Sequence, residues 1–307
     1  MADPDSLAAI YAEARARGAI FDLSDRAKWR LSGADRVRYL NGQVTNDIRR
    51  ARQDAAFPAC VTTAKGKLSG VIFVSAASDF LRIDAEAELR EPLGARLERY
   101  IIADDATLED VTGEECLFHV VGAGLPAAPA GAEVRNAARF ARPGLDFIAP
   151  RAEHSSLLAL LAEAAVPIPA PLAESLRIEA GTPRWGAELT ADTIPPEAGL
   201  DQTAVDYHKG CYIGQEVISR IKSVGHVNRR LAGFTSAQPL FPGMTLHPEA
   251  DPGKAAGEIT SVAWSFGLES WAALGYLKRG FADTALLARS PDGATAAVQI
   301  RDLPLVP

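Results

Sequence analysis

Cysteine is scarce in this chain: three in 307 residues, Cys60, Cys116 and Cys211, far apart and with no C-x-x-C pair. That spacing argues against a disulfide framework and against a self-contained zinc or cluster cage, so no resident metal is expected. A sparse, odd count fits a reducing compartment. The five histidines are scattered, which leaves little for a His-based hydrolase. There is no G-x-x-x-x-G-K-S/T, no H-E-x-x-H, no G-x-S-x-G and no G-x-G-x-x-G after a strand. Positive charge is in deficit, with 32 Lys and Arg against 39 Asp and Glu and a net charge of −7. Such a chain lacks an overall footprint for polyanions, and no strong direct nucleic-acid binding is expected. No apolar run approaches the roughly 20 residues of a membrane span. Residues 1–18 lack the apolar stretch of a signal peptide, and Asp3, Asp5 and Glu13 argue against a transit peptide. A cytoplasmic protein with no membrane contact is the expectation.

What is present is globular. Hydrophobic residues make up 48% and charged residues 23%, and 307 residues call for two or three compact units. Residues 6–17 read as a helix, Phe21 to Ser24 as a strand, and Gly33-Ala34-Asp35 opens a helix through Leu40, with a loop over Gly42 to Asp47. Val71–Val74 and Phe80–Ile83 form a hairpin around a turn-rich Ser75 to Asp79. Apolar residues then recur at helical spacing from Leu89 to Ile101, with Pro92 in the first turn, and Leu117 to Val121 is another strand. Gly122 to Gly131 is a loop or hinge. Helices are expected over 155–165 and over Leu172 to Glu179, followed by irregular chain from Gly181 to Gly199. One or two helical turns follow Gly214. From residue 227 short apolar runs alternate with Pro/Gly turns, the pattern of a small β-barrel or sandwich.

Four places could carry chemistry. The first is Lys209-Gly210-Cys211-Tyr212-Ile213-Gly214-Gln215-Glu216. Its glycines could present the cysteine outward, and His208, Lys209 and a helix start at Gly214 would each favour thiolate. The plain alternative is an inert cysteine in a tight turn. The second is Glu179, a carboxylate at a helix end, where it is disfavoured unless something uses it. It could take two hydrogen bonds from a planar N–H/NH2 edge, or simply pair with Arg177 or Arg184. The third is a basic run, Lys209, Arg220, Lys222, Arg229 and Arg230 with His208 and His226, suited to a carboxylate tail or phosphates, or else merely a solvated face. The fourth is the trio Trp185, Trp264 and Trp271, able to clamp a flat ring, although tryptophans more often sit in cores.

The octet followed by Arg220 resembles the K-G-C-Y/F-x-G-Q-E-x-x-x-R signature of the YgfZ family of folate-binding proteins, relatives of the glycine-cleavage T protein. Leu40 to Asp47 resembles that family's L-x-G-Q-x-T-N-D block. Arg177 to Leu189 resembles the R-L/I-E-A-G-x-P-x-x-G-x-E-L block shared with the T protein, and Gly257–Ser261 with Leu274–Tyr276 resembles the C-terminal G-x-I/V-T-S and L-G-Y block. The resemblance implies an α+β, T-protein-like fold of three parts around a central folate cavity. The parts would be residues 1–50 with 151–226, residues 51–150, and a barrel over 227–307. It implies tetrahydrofolate or a one-carbon derivative as cofactor, Glu179 as the pterin carboxylate, and Lys209, Gln215, Arg220 and Trp185 as further folate contacts. It implies Cys211 as the functional thiol. Its implied partners are iron–sulfur enzymes, including tRNA-modifying ones, or cluster-assembly proteins. Classical turnover is left open: the alternative is a folate-dependent one-carbon transferase or demethylase. Two departures from the T protein stand against aminomethyl transfer. Gln215 replaces its Arg or Lys, and Glu91 falls at the offset of its catalytic Asp in a segment that otherwise does not match.

Overall fold

The computed structural model describes residues 3–122, 129, 131–140 and 142–306, so most of the Gly122–Gly131 segment lies outside the described residues. Six α-helices are described: α1 (Pro4–Arg17), α2 (Arg36–Gln43), α3 (Arg90–Glu98), α4 (His154–Ala162), α5 (Ala170–Glu179) and α6 (Gln215–Val224). Two of them depart from expectation. α2 extends through Gly42 and Gln43, shortening the expected loop, and α6 is ten residues long rather than one or two turns.

Three sheets organise the chain. The first is antiparallel, in the order Phe57–Thr62, Leu68–Ala76, Phe80–Ala85, Ala27–Ser32, Thr107–Asp110. Its expected hairpin is present, with Ala76 opposite Leu81. Side chains alternate between faces along a strand, and the inward set here (Trp29, Leu31, Ile72, Val74, Ile83) meets Leu40 of α2 and Leu93 and Leu97 of α3 in one core. The second sheet runs Val166–Pro167, Ala19–Asp22, Glu115–Val121, Gly144–Pro150, Glu133–Ala137. Its Phe118 and Phe147 pack on Leu157 and Leu161 of α4. The C-terminal part is a closed six-stranded barrel of Arg229–Ser236, Ser270–Lys278, Gly257–Ser265, Thr245–Pro248, Leu286–Arg289 and Thr295–Arg301. Ile178 of α5 packs against it with Leu231, Leu274 and Tyr276.

The first two units interleave more finely than a division at residues 50 and 151 allows. Ala27–Ser32 belongs with strands after residue 57, whereas Ala19–Asp22 belongs with strands after residue 115. Strand pairing is a long-range choice that local periodicity does not encode.

Candidate functional site

The Lys209–Glu216 segment is built into the first unit. Lys209 is buried, and its ammonium donates to three backbone oxygens: Asn41 at 2.5 Å, Val44 at 2.7 Å and Asn46 at 2.9 Å. A lysine has three N–H donors, so all are used on the Leu40–Asp47 block, and the two sequence blocks form one structural piece. Burial pushes the Lys209 pKa down to about 8, with Asp47 and Asp206 opposing. Thr62 Oγ1 donates to Ile213 O at 2.5 Å and the Ile213 N–H donates to Gly42 O. Gly214 caps α6 at φ +90°, and a Cβ there would stand 2.5 Å from Thr63 O, so the close approach and the left-handed backbone both require glycine. The result displays Cys211 to solvent while Cys60 and Cys116 are fully buried.

Glu179 is also buried, and its carboxylate is held by protein donors. Oε1 accepts from Ser265 Oγ at 2.6 Å and the Gly267 N–H at 3.3 Å, and Oε2 accepts from Tyr11 Oη at 3.1 Å. Its backbone oxygen accepts the Leu305 and Val306 N–H groups. The neighbouring Arg177 spans Glu174 at 2.7 Å and Glu188 at 3.0 Å, and Glu188 takes Thr260 Oγ1 at 2.7 Å. The shared R-I-E-A-G block thus clasps α1, α5, the barrel and residues 305–306 together.

Where the three units meet there is a cavity of about 1040 Å³. Its border includes Pro58, Val71 and Phe73 from the first sheet, Arg139 and Phe140 beside the second, and Leu231, Leu303 and Pro304 from the barrel side. The residues following Glu179, Ala180 to Arg184, form part of the wall, although Glu179 itself is turned away into the junction. Several charged groups face this space, and two features stand out. Arg139 is buried and binds Asp84 at 2.8 Å and 2.9 Å and Asp146 at 2.8 Å and 2.9 Å, with its guanidinium 4.3 Å from the Phe73 ring centroid. Arg26 adds a 2.6 Å bond to Asp84, and His119 Nδ1 lies 2.9 Å from Asp146. Burial alone would push Asp84 up, but Arg139 and Arg26 outweigh it and hold its carboxyl below the usual range. The second feature is Glu86, which accepts the Trp185 N–H at 2.9 Å on Oε2. Burial raises its pKa, tempered by Arg26.

The remaining expected residues are dispersed. Trp185 is half-buried between two apolar clusters, while Trp264 and Trp271 pair edge-to-face across barrel strands with ring centroids 5.8 Å apart, so the trio forms no clamp. The basic run divides. Lys209 is internal, Arg229 bonds Glu197 at 3.1 Å, Lys222 lies 5.0 Å from the Tyr207 ring centroid, and Arg230 borders the cavity. Arg220 is exposed on α6 and Gln215 half-buried at its first turn. Glu91 is exposed on the first turn of α3. Reading the sequence missed Glu86, Arg26 and Arg139. The available signal was a carboxylate directly after a strand ending at Ala85, since functional groups gather on the loops that leave rigid elements.

No family model matches the chain. A putative chloroplastic transferase of Arabidopsis thaliana is 26% identical over 285 residues, 85% of this chain and 65% of that relative, so the chain spans just under two thirds of its length. The mitochondrial aminomethyltransferase of Gallus gallus is 27% identical over 323 residues, covering 92% of this chain and 78% of the relative. The tRNA-modifying protein YgfZ of Sodalis glossinidius is 30% identical over 241 residues, covering 72% and 73%. Among solved structures, the glycine cleavage system aminomethyltransferase T from Bartonella henselae has the same fold, with a TM-score of 0.87 at 18% identity over 100% of this chain and 91% of that one.

Proposed function

Since the chain belongs to the YgfZ family and is related to the glycine-cleavage T protein, we propose that it is a cytoplasmic tetrahydrofolate-binding accessory protein. Its role is to support the assembly or repair of 4Fe–4S enzymes, tRNA-modifying ones among them. The observation that carries this reading is the cavity of about 1040 Å³ formed where all three units meet. Small-molecule sites have this order of size and combine apolar walls with a few polar groups. The lining fits a reduced folate: Phe73, Phe140 and Leu231 offer apolar surface for a ring system, Glu86 offers an acceptor for ring N–H groups, and Arg184 and Arg230 offer cations for the glutamate tail. When bound, the folate supplies one-carbon chemistry. The protein's own part is to bind and orient it. In this reading Glu179 and Lys209 act from behind the wall and Arg177 within it, fixing the segments that form it, while Cys211 is the functional thiol available to a partner. One cysteine cannot hold a four-iron cluster alone, which normally takes four, so any cluster contact is shared with an iron–sulfur enzyme or assembly protein. Exposed Glu91 gives the one-carbon transferase alternative no carboxylate in the cavity at the T-protein offset.

Two measurements test this. Calorimetry with tetrahydrofolate is expected to show micromolar-scale binding, and an absence of heat with the wild-type chain removes the folate reading. In a strain lacking the gene, the wild type, Cys60→Ser and Cys116→Ser are expected to restore iron–sulfur enzyme activity and Cys211→Ser to fail although it folds. Full rescue by Cys211→Ser would make that thiol dispensable.

A further inference from the structure

Glu86, on the cavity wall, has a carboxylate oxygen with no hydrogen-bond partner among the described residues. Glu86 directly follows the strand Phe80–Ala85 and caps the short turn Ala87–Leu89, so the sheet fixes its backbone. Oε2 accepts the Trp185 N–H at 2.9 Å, and among the described residues nothing donates to Oε1. The cations around it are committed elsewhere. Arg26 bonds Asp84, Arg139 is shared by Asp84 and Asp146, and the Arg184 Nε is ion-paired with Glu174 at 3.8 Å. A partly buried carboxylate that is neither ion-paired nor fully hydrogen-bonded is unfavourable in the free protein, and a ligand bringing N–H donors relieves it. A carboxylate has about four acceptor positions, so one bond from Trp185 leaves room for a two-pronged contact.

The geometry points to Glu86 as the group that receives the donor edge, the ring N–H and adjacent amino group, of a 2-aminopyrimidinone heterocycle bound in the central cavity. This rests on the folate reading and deepens it. Folate's bicyclic head carries these two donors side by side, as a guanidinium does. The nearby Val71 and Phe73 offer an apolar face for the rings. Glu86 then discriminates: a ring with a methyl in place of the amino group presents only one donor and leaves one carboxylate oxygen in the cavity unmatched. The same oxygen bonded to Trp185 couples ligand recognition to the segment that carries Thr182 to Arg184 along the wall.

The test is calorimetric and compares tetrahydrofolate with its 2-desamino-2-methyl analogue on the full-length wild type, Glu86→Gln and Glu86→Asp, each with its melting temperature. Gln keeps an oxygen for the Trp185 N–H but loses the charge and turns a donor toward the ligand. Losing one charge-assisted contact corresponds to a tenfold to hundredfold weakening, roughly. We expect that loss for tetrahydrofolate in Glu86→Gln, a smaller loss in Glu86→Asp, and no further loss for the analogue, which binds the wild type weakly. Equal tetrahydrofolate affinity in wild type and Glu86→Gln overturns the inference and leaves Glu86 a bracket for Trp185. Equal weakening of both ligands overturns it too, since the effect then bypasses the amino group. Should Glu86→Gln not fold, Glu86→Asp decides: undiminished binding by it also counts against the inference. If the wild type binds neither ligand, it is the folate reading that fails.

Discussion

An ammonium group enclosed by three carbonyl oxygens has no freedom left to attract a ligand, and that is the state of Lys209. Replacing it by methionine preserves length and removes the donors, leaving three carbonyl groups without their partner. Each unmet buried group costs about 1–3 kcal/mol, so Lys209→Met is expected to lose about 3 kcal/mol or more in urea unfolding. Cys211 is expected to react with iodoacetamide in the native protein, whereas Cys60 and Cys116 react only after unfolding, which peptide mass spectrometry resolves. Both buried thiols lack access, and burial pushes Cys60 up to about 12. At this scale the sequence identified the exposed thiol by its flanking glycines. It could not show that the neighbouring lysine turns inward to a block more than 160 residues away, because a side chain's direction is set by what packs around it.

Helix α6 depends on its first residue's predecessor. Gly210 and Gly214 stand on either side of Cys211 and read alike in sequence, yet they are not equivalent. A Cβ at Gly210 meets nothing, whereas at Gly214 it lies 2.5 Å from Thr63 O with φ at +90°. Left-handed backbone costs a non-glycine residue about 1–3 kcal/mol before any clash. Gly214→Ala is therefore expected to lower the melting temperature and loosen α6 from the Thr62–Gly66 turn, and Gly210→Ala to leave thermal unfolding nearly unchanged. Periodicity revealed most elements here. The Phe80 hairpin, α1, α5 and the C-terminal β-rich texture follow from local spacing and turn residues. The partition of strands between two sheets does not, since residues 19–22 and 27–32 are five residues apart and enter different sheets. The cavity was legible only through the family motifs, and its carboxylate Glu86 was not, because no local pattern marks which loop faces the junction between units.

Across the molecule, Arg139 joins the units by binding Asp84 of the first sheet and Asp146 of the second. Both carboxyls titrate below the usual range in the folded state: burial is the largest single influence and pushes them up, but Arg139 together with Arg26 at Asp84 and His119 at Asp146 outweighs it. A depressed folded pKa adds stability at pH above the unfolded value, 3.8 for Asp, and loses it as pH falls through the folded value. Asp84→Asn is expected to cost about 3 kcal/mol at neutral pH, the usual effect of removing one partner from a buried ion pair. Calorimetric scans should show its gap from the wild type narrowing as the pH drops below about 4. A gap independent of pH would mean that the carboxylate's charge does not matter.

The junction at Glu179 carries a consequence for time rather than for strength. Tyr11 of α1 bonds a carboxylate 168 residues later in the chain, and that carboxylate bonds Ser265 a further 86 residues on. Closing loops of this length is entropically uphill until the distant contacts form, which makes such topologies slow to fold. Helix α1 leaves the ribosome early, but its seat does not exist until α5 and the barrel strand Gly257–Ser265 have followed it. The apolar residues of α1, Ile10 and Ala14, must therefore wait for Ala173 and Leu176 of α5 before they are covered, and refolding from denaturant is expected to be slow and sensitive to protein concentration.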